Sequence, residues 1–194
     1  STLDHDVGRI MQELKAQGID ENTIVIFTSD NGAATEDGAV AVYFHGSGPF
    51  RGIKRDLYEG GIRVPMVMNW PGTIAAGELD ESSHITFWDF LPTFAELAGA
   101  EVPDGIDGIS VTQSFLNGTT VGNDRPLYWE FRQKPHTELK QAARWGRWKA
   151  VRLSEGAELE IYDLESEIGE TENIAADHPD LVEKFEAFLA SARD

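Results

Sequence analysis

Asp30-Asn31-Gly32 sets a carboxylate, an amide oxygen and a glycine side by side, directly after the β-branched and aromatic run Thr23-Ile24-Val25-Ile26-Phe27-Thr28-Ser29. Two such oxygen donors suit a hard cation such as calcium or magnesium. An ordinary turn closed by an Asx hydrogen bond accounts for the same residues. Further along, Arg51-Gly52-Ile53-Lys54-Arg55 and Tyr58-Glu59-Gly60-Gly61-Ile62-Arg63 place basic residues among glycines. Lysine is a compact point charge suited to a tetrahedral oxyanion, sulfate or phosphate, and the glycines allow close backbone approach. A divalent cation beside a lysine is a common way to hold and polarise such an anion. The plainer account is a solvated basic face. The flanking glycines and the acidity of the rest of the chain weigh against it.

The elements that must position these groups follow from periodicity. Leu3, Val7, Ile10, Met11 and Leu14 recur at spacings of three and four, which predicts an amphipathic helix over 4–17 with Gly18 as its stop. The apolar run at 23–28 then reads as a strand buried on both faces, half of a parallel βαβ unit. Asn-Gly at its end favours a tight turn with positive φ. Ligands of open α/β sheets bind beyond the carboxyl ends of the strands, which is where Asp30 and Asn31 fall. From Ala33 to Tyr58 periodicity disappears. The aromatic residues Tyr43, Phe44 and Phe50 argue for a structured loop folded back over the strand ends.

Met66–Trp70 is a second short strand stopped by Pro71-Gly72. Thr86-Phe87-Trp88-Asp89 has the form of a capping box, and Pro92 just beyond it predicts a kink or a tighter first turn. Residues 118–125, rich in Gly, Thr and Asn, mark a boundary between segments 1–120 and 121–194. Beyond it, Leu127–Phe131, Gln141–Leu153 and Leu159–Leu164 read as strands, with Gly146 at a hairpin tip. Pro179–Ala192 closes the chain as a helix with Leu181, Val182, Phe185, Phe188 and Leu189 on its apolar face. Strands followed by one helix predict a small antiparallel sheet with the helix across it.

Composition narrows the function classes. A formal net charge of −18 over 194 residues argues against nucleic acid as a partner, since phosphates need basic patches. An anion site must then be made locally. With no cysteine there is no disulfide frame, thiolate metal site or cysteine nucleophile in these residues. No apolar stretch approaches the roughly 20 residues of a membrane span. His5 lies on the polar side of the first helix and His84 precedes a capped helix, so both read as structural or surface groups. His45, between the Asp30-Asn31 pair and Lys54, is a candidate substrate contact, with Tyr43 and Phe44 as pocket lining. Glu36 and Asp37 read as solvated loop acids.

The run Thr-Ile-Val-Ile-Phe-Thr-Ser-Asp-Asn-Gly at 23–32 is followed by Gly-Pro-Phe-Arg-Gly-Ile-Lys-Arg-Asp-Leu-Tyr-Glu-Gly-Gly-Ile-Arg-Val-Pro at 48–65 and Trp-Pro-Gly at 70–72. Together they resemble the second half of formylglycine-dependent sulfatases of the alkaline phosphatase superfamily, in the style of arylsulfatase A and N-acetylgalactosamine-6-sulfatase. Asp89-Phe90-Leu91-Pro92-Thr93, Asp107-Gly108-Ile109-Ser110, Ile161-Tyr162-Asp163-Leu164, Gly169-Glu170 and Glu172-Asn173 resemble that family's later segments. The resemblance covers essentially the whole chain.

It implies an α/β fold: the C-terminal part of an alkaline-phosphatase-like sandwich with a mostly parallel sheet, then a small antiparallel sheet packed with a C-terminal helix. Asp30 and Asn31 are then two ligands of an active-site calcium, or magnesium, and Lys54 contacts the sulfate and acts in catalysis. Tyr58–Gly61 becomes scaffold, Arg63 structural, and His136 a substrate contact on a loop reaching over the site. The family's nucleophile, a formylglycine made within Cys/Ser-x-Pro-x-Arg, has no counterpart here. The expected parent is therefore longer, and this chain is its C-terminal fragment, inactive alone and needing the N-terminal half or a second copy against its exposed sheet edge. The implied reaction is hydrolysis of a sulfated carbohydrate or aryl sulfate, in a periplasmic or secreted location. A phosphonate or phosphodiester hydrolase of the same superfamily, or a non-catalytic binding module, are the alternatives.

Overall fold

The computed structural model describes residues 1–35, 43–132 and 138–192. The chain divides into two compact units, residues 1–28 with 66–123, and residues 29–65 with 124–194.

In the first unit, helix α1 (Thr2–Ala16) starts where the Ser1 hydroxyl accepts the Asp4 N–H, and Gly18 leaves it at φ +68°. Strands β1 (Val25–Thr28) and β2 (Met66–Asn69) pair antiparallel, Phe27 opposite Val67 and Ile26 opposite Met68. The expectation that α1 and β1 form half of a parallel βαβ unit concerns a different neighbour; within this chain the strand paired with β1 is β2, and it runs antiparallel. The strands are not buried on both faces. Phe27 is 41% and Val67 63% exposed, a cross-strand apolar pair open to solvent.

The capping box at Thr86 forms as expected. Its first turn is 3₁₀ (Phe87–Asp89), the tighter start that Pro92 calls for, before helix α3 (Phe90–Ala98). Asp89 is fully buried. One carboxylate oxygen accepts from Thr86, and the other takes the Ile109 N–H at 3.0 Å. Gly108 then has no room for a Cβ, which would stand 2.0 Å from the Trp88 carbonyl oxygen. The motif segments around Asp89 and Gly108 thus hold each other in place. Helix α4 (Thr112–Asn117) follows, and its Ser114 hydroxyl donates to Asp80 at 2.8 Å.

Asp80 also accepts the backbone N–H groups of Ser82 and Ser83. Burial pushes its pKa up, but the hydrogen bonds from Ser83, Ser114 and Ser82 outweigh it and hold the group at about 2 against an ordinary 3.8. A carboxylate with a depressed folded-state pKa contributes stability that is present above its unfolded value and lost as pH falls through the folded one. The expected result for Asp80→Asn is a shallower loss of stability between about pH 4 and pH 2, read from urea midpoints. An unchanged acid slope would count against these hydrogen bonds.

The second unit contains the antiparallel sheet β3 (Pro126–Arg132), β4 (Leu139–Trp145), β5 (Trp148–Arg152) and β6 (Glu160–Asp163), in that order. Gly146, at φ +63°, forms the β4–β5 tip. Side chains alternate across a strand, and both faces of this sheet are covered. Ala143, Ala150 and Ile161 face helix α5 (Pro179–Ser191), whose Leu181, Phe185 and Leu189 close the core. Ala142, Val151 and Tyr162 point the other way and pack against Leu57 and Tyr58. The small antiparallel sheet with its C-terminal helix is as the sequence predicts. Its second face holds the segment that follows Lys54.

Candidate active-site loops

Beyond β1 the chain turns at Ser29–Gly32, where the Ser29 hydroxyl donates to the Asn31 carbonyl at 2.8 Å. Neither Asn31 nor Gly32 takes positive φ, contrary to the expectation for Asn-Gly. Gly32 is required for a different reason. A Cβ there would stand 1.8 Å from the Gly60 carbonyl oxygen, and the Gly32 N–H donates to Gly61 O at 2.9 Å. One residue on, Ala33 O accepts the Lys54 N–H, also at 2.9 Å. Two backbone bonds therefore tie the Asp30-Asn31 turn to the segment that carries Lys54.

That segment is itself closely packed. Helix α2 (Glu59–Ile62) is a single turn with Glu59, Gly60 and Gly61 buried. The Gly60 N–H donates to Arg51 O at 2.7 Å, and a Cβ on Gly60 would lie 2.3 Å from Gly52 O. Gly61 has a similar constraint, with Asp56 O at 2.1 Å from its Cβ position. The Ser47 hydroxyl donates to Gly52 O at 2.8 Å and draws the 43–50 loop onto the same stretch. His45 lies on that loop, exposed and at φ +48°, next to Tyr43 and Phe44, which are 75% and 72% exposed. His136, Glu36 and Asp37 lie outside the described residues.

Arg51 belongs to the basic cluster in sequence and, though exposed, is held by neighbouring groups. Its guanidinium sits 3.8 Å from the centre of the Tyr58 ring and donates to Tyr162 Oη at 2.9 Å and Glu170 O at 2.8 Å. Both phenols donate to Glu160 Oε2. Burial, reinforced by that carboxylate, raises the Tyr58 pKa and pushes Tyr162 up to about 12, so both keep their protons at neutral pH. Arg63 lies over the Phe50 ring and 3.6 Å from Glu59.

Sequence reasoning missed the groups beneath this segment. Lys149 on β5 is fully buried, its Nζ 2.7 Å from Glu59 Oε1 and 3.7 Å from Glu170 Oε1. Arg144 on β4, directly across the ladder from Lys149, reaches Glu59 Oε2 at 3.2 Å. Glu170 Oε2 accepts the Glu59 N–H at 2.7 Å. Burial pushes Glu59 up, but the charges of Lys149, Arg144 and Arg63 outweigh it and its pKa is lowered. Burial dominates at Glu170, whose pKa is raised. A signal was available: Lys149 lies inside the otherwise apolar Trp148-Lys149-Ala150-Val151, a position for a paired charge or none.

Asp30 is exposed, and the Asn31 amide nitrogen donates to Gly32 O at 2.9 Å, which leaves its Oδ1 as the available donor atom. A carboxylate and an amide oxygen of this kind fit a hard cation. Among the described residues no three His, Asp or Glu side chains gather as a metal cage.

Residues 1–100 match the Sulfatase family model. The chain is 33% identical over 200 residues to a sulfatase of Formosa agariphila, covering 91% of this chain and 34% of that protein. It belongs to the sulfatase family. The N-acetylgalactosamine-6-sulfatase of Mus musculus is 37% identical over 134 residues, covering 66% of this chain and 24% of its own length. A solved structure in complex with its substrate D-glucosamine-2-N,6-O-disulfate superposes with a TM-score of 0.78 at 26% identity. It covers 98% of this chain and 38% of the other. This sulfatase chain therefore spans about a third of the length of the Formosa relative. Among its described residues no helix is long and apolar enough to cross a membrane.

Proposed function

We propose that the longer protein to which this chain corresponds is a sulfuric ester hydrolase acting on a sulfated carbohydrate or aryl sulfate. The observation that carries this reading is the pair of backbone bonds, Gly32 to Gly61 and Lys54 to Ala33, that set the Asp30-Asn31 turn beside the Lys54 segment. The sugar class is suggested by the disulfated glucosamine bound by one structural relative and by the N-acetylgalactosamine-6-sulfatase relative.

In this reading Asp30 and Asn31 are two ligands of a calcium ion, or magnesium, whose remaining ligands come from elsewhere in the longer protein. When bound, the cation supplies Lewis-acid charge to the sulfate oxygens. Lys54 holds a sulfate oxygen and offsets the negative charge that grows on it as the ester bond breaks. A formylglycine nucleophile belongs to the remainder of the parent. His45, and His136 on the small domain, contact the sugar. Residues 1–120 are part of the catalytic α/β domain and 121–194 form its C-terminal subdomain. Apolar side chains left in solvent, Leu3, Ile10, Phe27 and Val67 among them, are covered by the remainder of the protein or by a second copy. The location is periplasmic or secreted.

The test uses the full-length protein on an aryl sulfate and an aryl phosphodiester, with calcium and after chelation. Calcium-dependent turnover with preference for the sulfate is expected. Preference for the phosphodiester would move the assignment to the phosphonate and phosphodiester hydrolases. Neither turnover nor calcium-dependent binding of a sulfated sugar would make it a non-catalytic module.

A further inference from the structure

We propose that Lys149, acting through Glu59, is a positioning residue for the Asp30-Asn31 turn and for Lys54. Its relevance to catalysis rests on the function proposed above; the positioning itself does not.

The connection runs through contacts already described. Lys149 Nζ lies 2.7 Å from Glu59 Oε1, and Glu59 is the first residue of the single helical turn α2. Glu59 is held at both ends. Its N–H goes to Glu170 Oε2 at 2.7 Å, and its carbonyl accepts the Arg63 N–H at 2.7 Å. Gly60 and Gly61 follow, and their carbonyl oxygens are the surface on which the Asp30-Asn31 turn rests. Gly61 O takes the Gly32 N–H, and Gly60 O occupies the space a Gly32 side chain would need. A rotation of α2 of even a fraction of an ångström would therefore move Gly32, and with it Asn31 and Asp30. Ala33, the next residue, accepts from Lys54, so the lysine moves with the turn.

A buried charge cluster has a blander explanation, as an ion-paired piece of core. Energetics argue against that as the whole account. Taking ammonium and carboxylate groups out of water offsets most of their attraction, and apolar residues of similar volume stabilise a core as well or better. The apolar solution was also close at hand. Leu57, Ala142, Val151 and Leu164 pack together as an aliphatic patch on the same side of the sheet. What a directional pair adds at this one place is a fixed setting. Glu59 cannot shift without parting from Lys149, Arg144 and the Glu170 bond together. The pair links the four-stranded sheet to the helical turn α2, on which Gly32 rests.

Backbone amide exchange, followed residue by residue in the full-length protein, tests this without substrate or metal. In Glu59→Gln and in Lys149→Met, exchange at Gly32 and Lys54 is expected to accelerate at least about tenfold, the opening of a bond whose support is removed. Ala143 and Ala150, paired across β4 and β5, should change by less than about threefold, because the sheet ladder and α5 remain. Acceleration of all four amides by the same factor would reduce the pair to core support. Unchanged exchange at Gly32 and Lys54 would overturn the proposal outright. Should Lys149→Met not fold, Glu59→Gln decides, since it keeps the side-chain shape and leaves Lys149 beside Glu170. Neither result depends on whether the parent hydrolyses sulfate, so the two readings fail separately.

Discussion

Gly32→Ala is expected to destabilise the second unit by about 3 kcal/mol, near the upper end for forcing a methyl group into filled space. The new Cβ would fall 1.8 Å from the Gly60 carbonyl oxygen, with Gly61 Cα at 3.0 Å. Both are backbone atoms of a turn that is itself packed against Arg51, Gly52 and Asp56, so nothing nearby gives way cheaply. The least costly response is to break the bond from Gly32 to Gly61 and lift the Asp30-Asn31 turn away. Gly156→Ala in the same unit is the comparison. Gly156 has φ +77° and open space around its Cβ position, so only the backbone preference is lost, about 1–2 kcal/mol. Urea midpoints of the two variants measure the difference. Equal losses would mean the close approach at Gly32 does not exist.

Lys54→Ala in the full-length protein is expected to lower kcat on an aryl sulfate by roughly 10²- to 10³-fold, the usual cost of removing one group aimed at developing charge. The backbone bond from Lys54 to Ala33 survives the substitution, and circular dichroism and the thermal midpoint report separately on any loss of fold. Lys54→Arg should recover little, because a planar fork does not replace a compact ammonium at a single oxygen. An undiminished kcat in Lys54→Ala would remove the lysine from the chemistry and leave it as a surface charge of the loop.

The elements were legible wherever local chemistry is self-sufficient. Helix α1 with its Gly18 stop, the capping box at Thr86, the Gly146 hairpin and the apolar face of α5 each follow from residues close together in the chain, and each is present. Pairing direction was not legible. An apolar strand after a helix reads the same whether its partner runs parallel or antiparallel, and β1 and β2 are antiparallel. The turn at Asn31-Gly32 was foreseen for the wrong reason, since glycine there answers to a distant carbonyl and not to its own φ. The buried ion network lay furthest out of reach. Glu59, Lys149 and Glu170 are far apart in sequence and meet only when the 51–63 segment lies on the sheet. Lys149 among apolar neighbours marks that something must pair with it, without saying what.

The 51–63 stretch is fastened at close intervals: Arg51 to Tyr162 and Glu170, Gly60 to Arg51, Glu59 to Lys149, and Gly61 to Gly32. Such a stretch is intolerant of a change in length, because one added or removed residue would put every fastening after it out of step. The preceding loop differs. Tyr43 and Phe44 project into solvent, and the Ser47 hydroxyl is its side-chain tie to Gly52. Insertions and deletions can accumulate there while the lysine and the oxygen pair keep their places. That loop can thus change its length and its outward-facing side chains without disturbing the backbone bonds that hold the Asp30-Asn31 turn beside Lys54.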